Sequence, residues 1–169
     1  IDSMVMPGIQ GGPLMHIISA KAVAFGEALD PSFKRYSSQI VQNAKCIAEE
    51  MMKRNYDVIS GGTDTHLVLI DLTKKDVSGK KAEQSLEKAG ITVNKNMVPF
   101  DKRSPLVTSG IRIGTSAITT RGMQTNQMKI IAEMIDLIVK NHDDEKKIKT
   151  VRGKIRELSN DFPLYQELF

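Results

Sequence analysis

The fold is decided by a stretch in the second half of the chain, which reads Val107-Thr108-Ser109-Gly110-Ile111-Arg112-Ile113-Gly114-Thr115. Ile111 and Ile113 alternate with other residue types, so the stretch predicts a buried β-strand. Arg112 lies between them, and a guanidinium among aliphatic neighbours requires an anion. Its planar donors match a carboxylate in two parallel hydrogen bonds, so we interpret Arg112 as a carboxylate clamp. The alternative is a structural ion pair with an Asp or Glu of the same domain, and the segment alone favours that alternative.

The composition indicates one globular domain, or one domain plus a fragment of another. The chain has 169 residues, of which 40% are hydrophobic, enough for a sizeable core. The sequence shows no apolar run that could span a bilayer and no signal segment, and Ile1 as first residue suggests a chain cut from something longer. A single cysteine, Cys46, excludes an internal disulfide and offers no metal constellation. We therefore predict a cytoplasmic protein that binds neither membrane nor metal.

The charge balance favours a solvated surface over a nucleic-acid interface. The net charge is +4 and the isoelectric point is near 9.1, but the lysines and arginines are scattered among nearly as many acids. Aromatic residues make up only 5% of the chain and do not interleave with basic ones, which leaves few platforms on which bases could stack. We expect no nucleic-acid partner, with attraction for an anionic small molecule as a lesser effect.

The first 30 residues predict a loop and then a helix that is apolar on nearly every face. Residues 4–12 form a glycine-rich loop in this interpretation, and Pro13 lies where a helix takes its first residue. Residues 14–29 leave only a narrow polar stripe, which is typical of a helix inside a large protein or against a partner. His16 lies within this helix, and we interpret it as a packed, hydrogen-bonded core histidine. Glycines ahead of a helix expose N–H groups that suit a phosphate, although most such loops bind nothing.

The rest of the chain alternates helical and strand patterns. Helices are predicted from Asp30 to about Arg54, over 78–89, from an entry at 119–122, and after residue 143. Strands are predicted at 58–60, 65–72, 91–93 and 107–115. Residues 97–106 have the punctuation of a functional loop, and residues 162–165 close the chain as a docked tail. These patterns predict an α+β fold with a small mixed or antiparallel sheet covered by helices.

Three blocks of the sequence resemble the serine hydroxymethyltransferase family. They are Pro7-Gly8-Ile9-Gln10-Gly11-Gly12-Pro13-Leu14-Met15-His16, Ser60-Gly61-Gly62-Thr63-Asp64-Thr65-His66, and the span that runs from Asn94-Lys95-Asn96-Met97-Val98-Pro99 to Arg112. The resemblance implies the α/β three-layer small domain of a fold-type I pyridoxal-phosphate-dependent transferase, preceded by a remnant helix of the large domain. It places residues 1–30 in the large domain and residues 31–169 in the small domain.

The resemblance also implies an activity and a set of site residues. The family's full-length enzyme transfers the hydroxymethyl carbon of serine to tetrahydrofolate and leaves glycine, with pyridoxal 5'-phosphate as cofactor, and it works as a homodimer or homotetramer. On this resemblance Arg112 holds the amino-acid carboxylate. The Gly12 amide contacts the phosphate of the cofactor in the neighbouring subunit, and Gly11 helps that approach. The folate site consists of Asn96 at the mixed edge of the pterin, Lys95 at the glutamate tail, and Ser104, Pro105 and Leu106 as lining.

One part of the family's chemistry is missing from this sequence. In the family the cofactor forms a Schiff base with a lysine inside a Thr-rich stretch followed by His-Lys, and residues 1–169 contain no such stretch. We therefore expect no catalytic residue here, and we expect the chain to be a C-terminal fragment that is silent by itself. The apolar helix at 14–29 would then lack the domain that buries it and would drive self-association.

Three other interpretations stay open at the level of the sequence. A small α+β module could bind a carboxylate at Arg112 without any chemistry. Another pyridoxal phosphate enzyme of the same fold type could use an arginine in the same way, but residues 94–99 and the folate loop would then need another explanation. A nucleic-acid binder is suggested by the charge balance alone, and its affinity would have to fall steeply with salt.

Overall fold

The computed structural model describes residues 1–164, and the chain divides into two units. The first unit is Ile1–Ser37, and the second begins at Ser38 and contains the sheet. The predicted tail at 162–165 ends outside the described residues, since Tyr165 is not among them. Phe162 packs against the hydrophobic core, and its carbonyl accepts a hydrogen bond from Arg121 over 2.9 Å.

The first unit is helical, and its first two helical elements bury none of their side chains. A π-helical turn, Met4–Ile9, is closed by the N–H of Gln10, which donates over 2.8 Å to the carbonyl five residues earlier. Helix α1 is Met15–Leu29. The prediction of a loop over 4–12 is therefore wrong in its first part, because backbone hydrogen bonds form there in spite of Pro7.

Two predictions about the start of α1 are wrong. The helix begins at Met15 and not at Pro13, because Leu14 takes extended backbone angles, φ −82° and ψ 97°, that do not continue a helix. His16 is exposed and not packed in a core. The reason is that α1 buries none of its residues in this chain, although nearly all of its faces are apolar.

Helix α2 is Pro31–Lys53, and from Ser38 onward it belongs to the second unit. The carboxylate of Asp30 caps its start by accepting from the Ser32 N–H over 2.7 Å. Apolar residues recur along α2 at helical spacing, and their face is buried in the core. The predicted helix from Asp30 to about Arg54 is confirmed.

Four short strands form one antiparallel sheet in the order β1-β2-β4-β3. The strands are β1 (Asp57–Val58), β2 (Leu67–Asp71), β3 (Asn94–Asn96) and β4 (Gly110–Gly114). Side chains alternate between the two faces of a strand, and the buried face carries Val68, Ile70, Ile111 and Ile113. The predicted α+β fold with a small antiparallel sheet is confirmed.

Helices later in the chain complete the core against this face. They are α3 (Gly79–Lys88), α4 (Ser116–Thr120), α5 (Thr125–Lys140) and α6 (Glu145–Asn160). The side chains of Ser78 and Asp144 cap α3 and α6 by accepting from amides of their first turns. Helix α4 did not emerge from the sequence because five residues are too few to show a periodic pattern.

Three predicted strand boundaries are wrong. Strand β3 lies at 94–96 and not at 91–93. Ile91 and Val93 alternate because their side chains are buried, but the backbone pairing with β4 starts only at Asn94. Strand β1 ends at Val58 because Ser60 has a φ of 64°, which turns the chain. Strand β4 begins only at Gly110 because Thr108 has a φ of 58°.

Candidate functional site

Arg112 lies on the open face of the sheet. Its neighbours Ile111 and Ile113 are 0% and 5% exposed on the opposite face, whereas Arg112 itself is exposed. In the ladder its Cα lies opposite Leu69 on one side and Asn94 on the other. The predicted burial of the guanidinium among aliphatic neighbours is therefore wrong, because alternation places the aliphatic and cationic residues on opposite faces.

Arg112 makes no ion pair with any acid between residues 1 and 164. Two acids of the same unit are engaged elsewhere: Asp64 lies 3.5 Å from the ammonium of Lys45, and Asp71 accepts from the amide and hydroxyl of Thr73 over 2.8 and 2.6 Å. The alternative of a structural ion pair is thus wrong within this span. A guanidinium without an internal anion is free to bind the carboxylate of a ligand.

An open groove of about 790 Å³ lies against Arg112. One wall is the loop at 59–65, and the floor includes Leu67 and Leu69 of β2. The other wall is a face of α2 that carries Lys45, Glu49 and Met52. The groove therefore combines an unpaired cation with an apolar floor, a combination that suits a small carboxylate with a short hydrocarbon body.

Neither wall of this groove was predicted from the sequence. The loop bends where Gly61 and Gly62 have φ values of 67° and 151°, which glycine adopts without strain. Thr63 then fixes the turn by donating its hydroxyl to the Leu67 carbonyl over 2.6 Å. The glycine pair was visible in the sequence, but its position beside Arg112 depends on the β2–β4 pairing, which no local pattern reports.

The predicted folate residues of β3 have partners within the protein. Asn96 has its Cα opposite Gly110 in the ladder, two residues from Arg112, and its side-chain amide donates to the Met97 carbonyl over 2.7 Å. Lys95 is held by Glu83, whose carboxylate accepts from the Lys95 amide over 2.8 Å and from its ammonium over 3.3 Å. The amide oxygen of Asn96 accepts no hydrogen bond from residues 1–164 and is available to a donor.

The other predicted folate residues form a turn in the loop that precedes β4. The carbonyl of Ser104 accepts from the amides of Val107 and Thr108, both over 2.9 Å. Leu106 is 77% exposed at the outside of this turn, next to Pro105. None of the three lines the 790 Å³ groove, whereas Arg112 does.

Asp101 organises this loop, a role that was not predicted from the sequence. Its carboxylate accepts from the amides of Val98, Arg103 and Ser109 over 3.3, 2.9 and 2.8 Å, and from the Ser109 hydroxyl over 2.6 Å. Burial by itself raises the pKa of Asp101. These hydrogen bonds outweigh burial and lower the pKa from 3.8 to about 2. Asp101 is therefore ionised at neutral pH. An Asp within a Pro-rich loop was a usable signal for it.

Gly11 and Gly12 lie in the first unit, just before α1. Both are exposed, and a Cβ added at either would meet no atom within 4 Å. Their amides donate to no acceptor in the described chain. The exposed amide of Gly12 lies three residues before the first residue of α1 and can donate to an anion such as a phosphate group.

Two other features are absent from residues 1–164, a metal site and a membrane-spanning helix. Nowhere in this span do three His, Cys, Asp or Glu side chains converge into a set able to hold a metal ion. None of the helices within it combines the length and apolar character needed to cross a bilayer.

A family model described as serine hydroxymethyltransferase matches residues 1–135. The match extends from the first residue into α5, and α6 lies beyond it. It includes every residue assigned above to a carboxylate, phosphate or folate contact.

Proposed function

The chain belongs to the serine hydroxymethyltransferase family, and we propose that it supplies the amino-acid carboxylate site and the folate loop of such an enzyme. The family consists of pyridoxal-phosphate-dependent one-carbon transferases that act on serine, glycine and folate. The observation that carries the proposal is the exposed guanidinium of Arg112, which pairs with no acid of residues 1–164 and lies beside an open groove. We infer further that the protein is cytoplasmic and works as a homo-oligomer.

Arg112 binds the carboxylate of serine or glycine in this proposal. Two parallel hydrogen bonds fix both the position and the orientation of the amino acid. Orientation matters because the bond to be broken must align with the π system of the cofactor ring. Loss of Arg112 therefore weakens substrate binding and slows turnover together.

Gly12 holds the cofactor phosphate through its backbone amide, and Gly11 leaves space for the approach. The exposed, unbonded amides support this assignment. When bound, pyridoxal phosphate supplies an electron sink for the carbanion that forms at the amino acid. The protein's part is to hold the phosphate and to orient the substrate.

The folate side of the site consists of Asn96, Lys95 and the turn at 104–106. The free oxygen of the Asn96 amide accepts from the pterin edge. Lys95 reaches an anionic glutamate tail only by leaving Glu83, so the salt bridge between them competes with the ligand. Leu106 offers an exposed apolar surface to the aromatic part of the folate.

The proposal also covers the organisation of the protein. Residues 1–30 belong to the large domain, and residues 31–169 form the small domain. The lysine that carries the cofactor lies in the Thr-rich stretch that residues 1–169 do not contain. The 169-residue chain by itself therefore turns over no serine.

The experiment uses the full-length enzyme loaded with pyridoxal phosphate, called the holoenzyme below. Titration calorimetry compares its binding of glycine with its binding of glycinamide, which lacks the carboxylate. The wild-type protein is expected to bind glycine at least tenfold more tightly, and Arg112→Ala to lose this preference, because a charge-assisted pair contributes about 1.5–3 kcal/mol. Arg112→Lys is the matched control, which keeps the charge without the planar fork and retains part of the preference. Equal binding of both ligands by the wild type, or a preference that survives in Arg112→Ala, contradicts the proposal.

A module that binds a carboxylate without chemistry is the second candidate, and the same unpaired Arg112 favours it. The two differ in the cofactor. Binding of glycine that is independent of pyridoxal phosphate supports the module, whereas binding that requires the cofactor supports the enzyme.

A further inference from the structure

The loop at 97–109 buries the side chain of Val98 but leaves two other large apolar side chains in water. Phe100 and Leu106 are 101% and 77% exposed. Phe100 and Thr108 also have φ values of 57° and 58°, which are unfavourable for residues with a side chain. A loop with exposed apolar side chains and strained backbone needs specific contacts to keep one conformation.

Asp101 supplies these contacts from the middle of the loop. Its two carboxylate oxygens bind donors on both sides: Val98 and Arg103 within the loop, and Ser109 at the start of β4. The shortest bond, 2.6 Å, comes from the Ser109 hydroxyl. Ser109 is three residues from Arg112 along the same chain, so Asp101 ties the loop directly to the strand that carries the guanidinium.

The strand end that Asp101 binds is itself closely packed. A Cβ on Gly110 would lie 2.7 Å from the Ile70 carbonyl oxygen, and one on Gly79 would clash with the Gly110 carbonyl oxygen. The amide of Gly79 also donates to the Thr108 carbonyl over 3.0 Å. Ser109 is thus anchored to a rigid part of the sheet, so a loop that is hydrogen-bonded to Ser109 is held in a fixed position.

We propose that Asp101 is a positioning residue that holds the 104–106 turn at a fixed place relative to Arg112, so that folate and amino acid bind in register. The inference rests on the proposed function. Asp101 acts without binding either ligand in this proposal, because its carboxylate already accepts four hydrogen bonds from the protein's own donors. Its loss therefore affects folate binding through the loop, while Arg112 stays in β4 and binds its carboxylate as before.

The test uses Asp101→Asn in the holoenzyme. Asparagine keeps the shape but replaces one acceptor oxygen by an NH2 group, which faces donors. The KM for tetrahydrofolate is expected to rise about tenfold, while the dissociation constant for glycine stays within about twofold. Limited proteolysis of residues 97–109 should accelerate in parallel. Asp76→Asn is the control, since Asp76 is exposed and outside the loop.

Unchanged folate KM in Asp101→Asn overturns the proposal, and so does an equal loss of glycine and folate binding. If Asp101→Asn does not yield folded holoenzyme, Ser109→Ala removes the 2.6 Å bond alone and should show a smaller rise in folate KM, and no rise overturns the proposal. Asn96→Ala separates the proposed folate site from the proposed role of Asp101. Folate binding that survives Asn96→Ala contradicts the folate site itself. Folate binding that is lost in Asn96→Ala but unchanged in Asp101→Asn contradicts only the role of Asp101.

Discussion

The two units of the chain are both rich in apolar residues but use them differently. In the second unit, the sheet and helices bury them in a common core that includes Ile111 and Ile135 at 0% exposure. In the first unit, α1 exposes Phe25 at 69% and buries none of its residues. The comparison teaches that helical backbone forms in either setting, whereas stability comes from the unit that removes apolar surface from water.

The largest expected effect contrasts one substitution in each unit. Ile111→Ala should lower the free energy of unfolding by about 2–5 kcal/mol, because it opens a cavity in a fully buried position. Phe25→Ala should change it by less than about 0.5 kcal/mol, since an exposed side chain loses little. Urea denaturation of the chain measures both. An equal loss of unfolding free energy in the two variants would show that α1 is buried in solution, and the two units would then not differ in this respect.

The exposed apolar surface of α1 should make the chain self-associate when it is tested alone. Replacing Phe25 and Val23 by Glu should weaken association by about 3 kcal/mol or more, because each buried apolar side chain contributes about 1.5–3 kcal/mol. Sedimentation analysis measures the change, and Lys21→Glu on the polar stripe is the control. A monodisperse wild-type monomer whose residues 14–29 exchange slowly would contradict this expectation.

Much of the second unit could be predicted from the sequence, because its signals are local. The alternation around Ile111 predicted a strand, the spacing along α2 predicted a helix, and Ser78 marked the predicted start of α3. The register of β3 could not be predicted, since it depends on β4, which lies far away in the sequence. For the same reason the position of the groove wall at 59–65 could not be predicted.

The partner of Arg112 shows a different limit. Local reasoning favoured an internal acid, because a guanidinium in a strand was assumed to be buried. The face on which Arg112 lies follows from the strand pattern, but its lack of an ion pair within residues 1–164 depends on where each acid folds. Sequence reasoning thus identified the residue and could not decide its role.

A smaller effect is expected at Gly12, in the exposed unit. Gly12→Pro removes the amide proposed to bind phosphate and should weaken pyridoxal phosphate binding about tenfold. Gly12→Ala should change it little, because the structure leaves room for a Cβ. Titration of the apoenzyme with the cofactor measures both variants. Equal weakening by both would mean that space, and not the amide, is what the site requires.

The smallest effect is a pH dependence of the loop at 97–109. The pKa of Asp101 is lowered from 3.8 to about 2, so its ionised form stabilises the folded loop above about pH 3.8, and that stabilisation is lost as the pH falls through about 2. Hydrogen bonds from Arg54 and Lys53 lower the pKa of Glu50 to about 2 as well, so the whole protein responds in this window. The difference between wild type and Asp101→Asn, followed by NMR of residues 97–109, isolates the loop. Identical acid profiles would exclude a role for the Asp101 carboxylate.

The most direct test of the account is a crystal structure of the holoenzyme with glycine bound. The account predicts that both terminal nitrogens of Arg112 lie about 2.7–2.9 Å from the two carboxylate oxygens of glycine. An Arg112 bonded to an Asp or Glu of the protein, with the glycine carboxylate held by other residues, would contradict it.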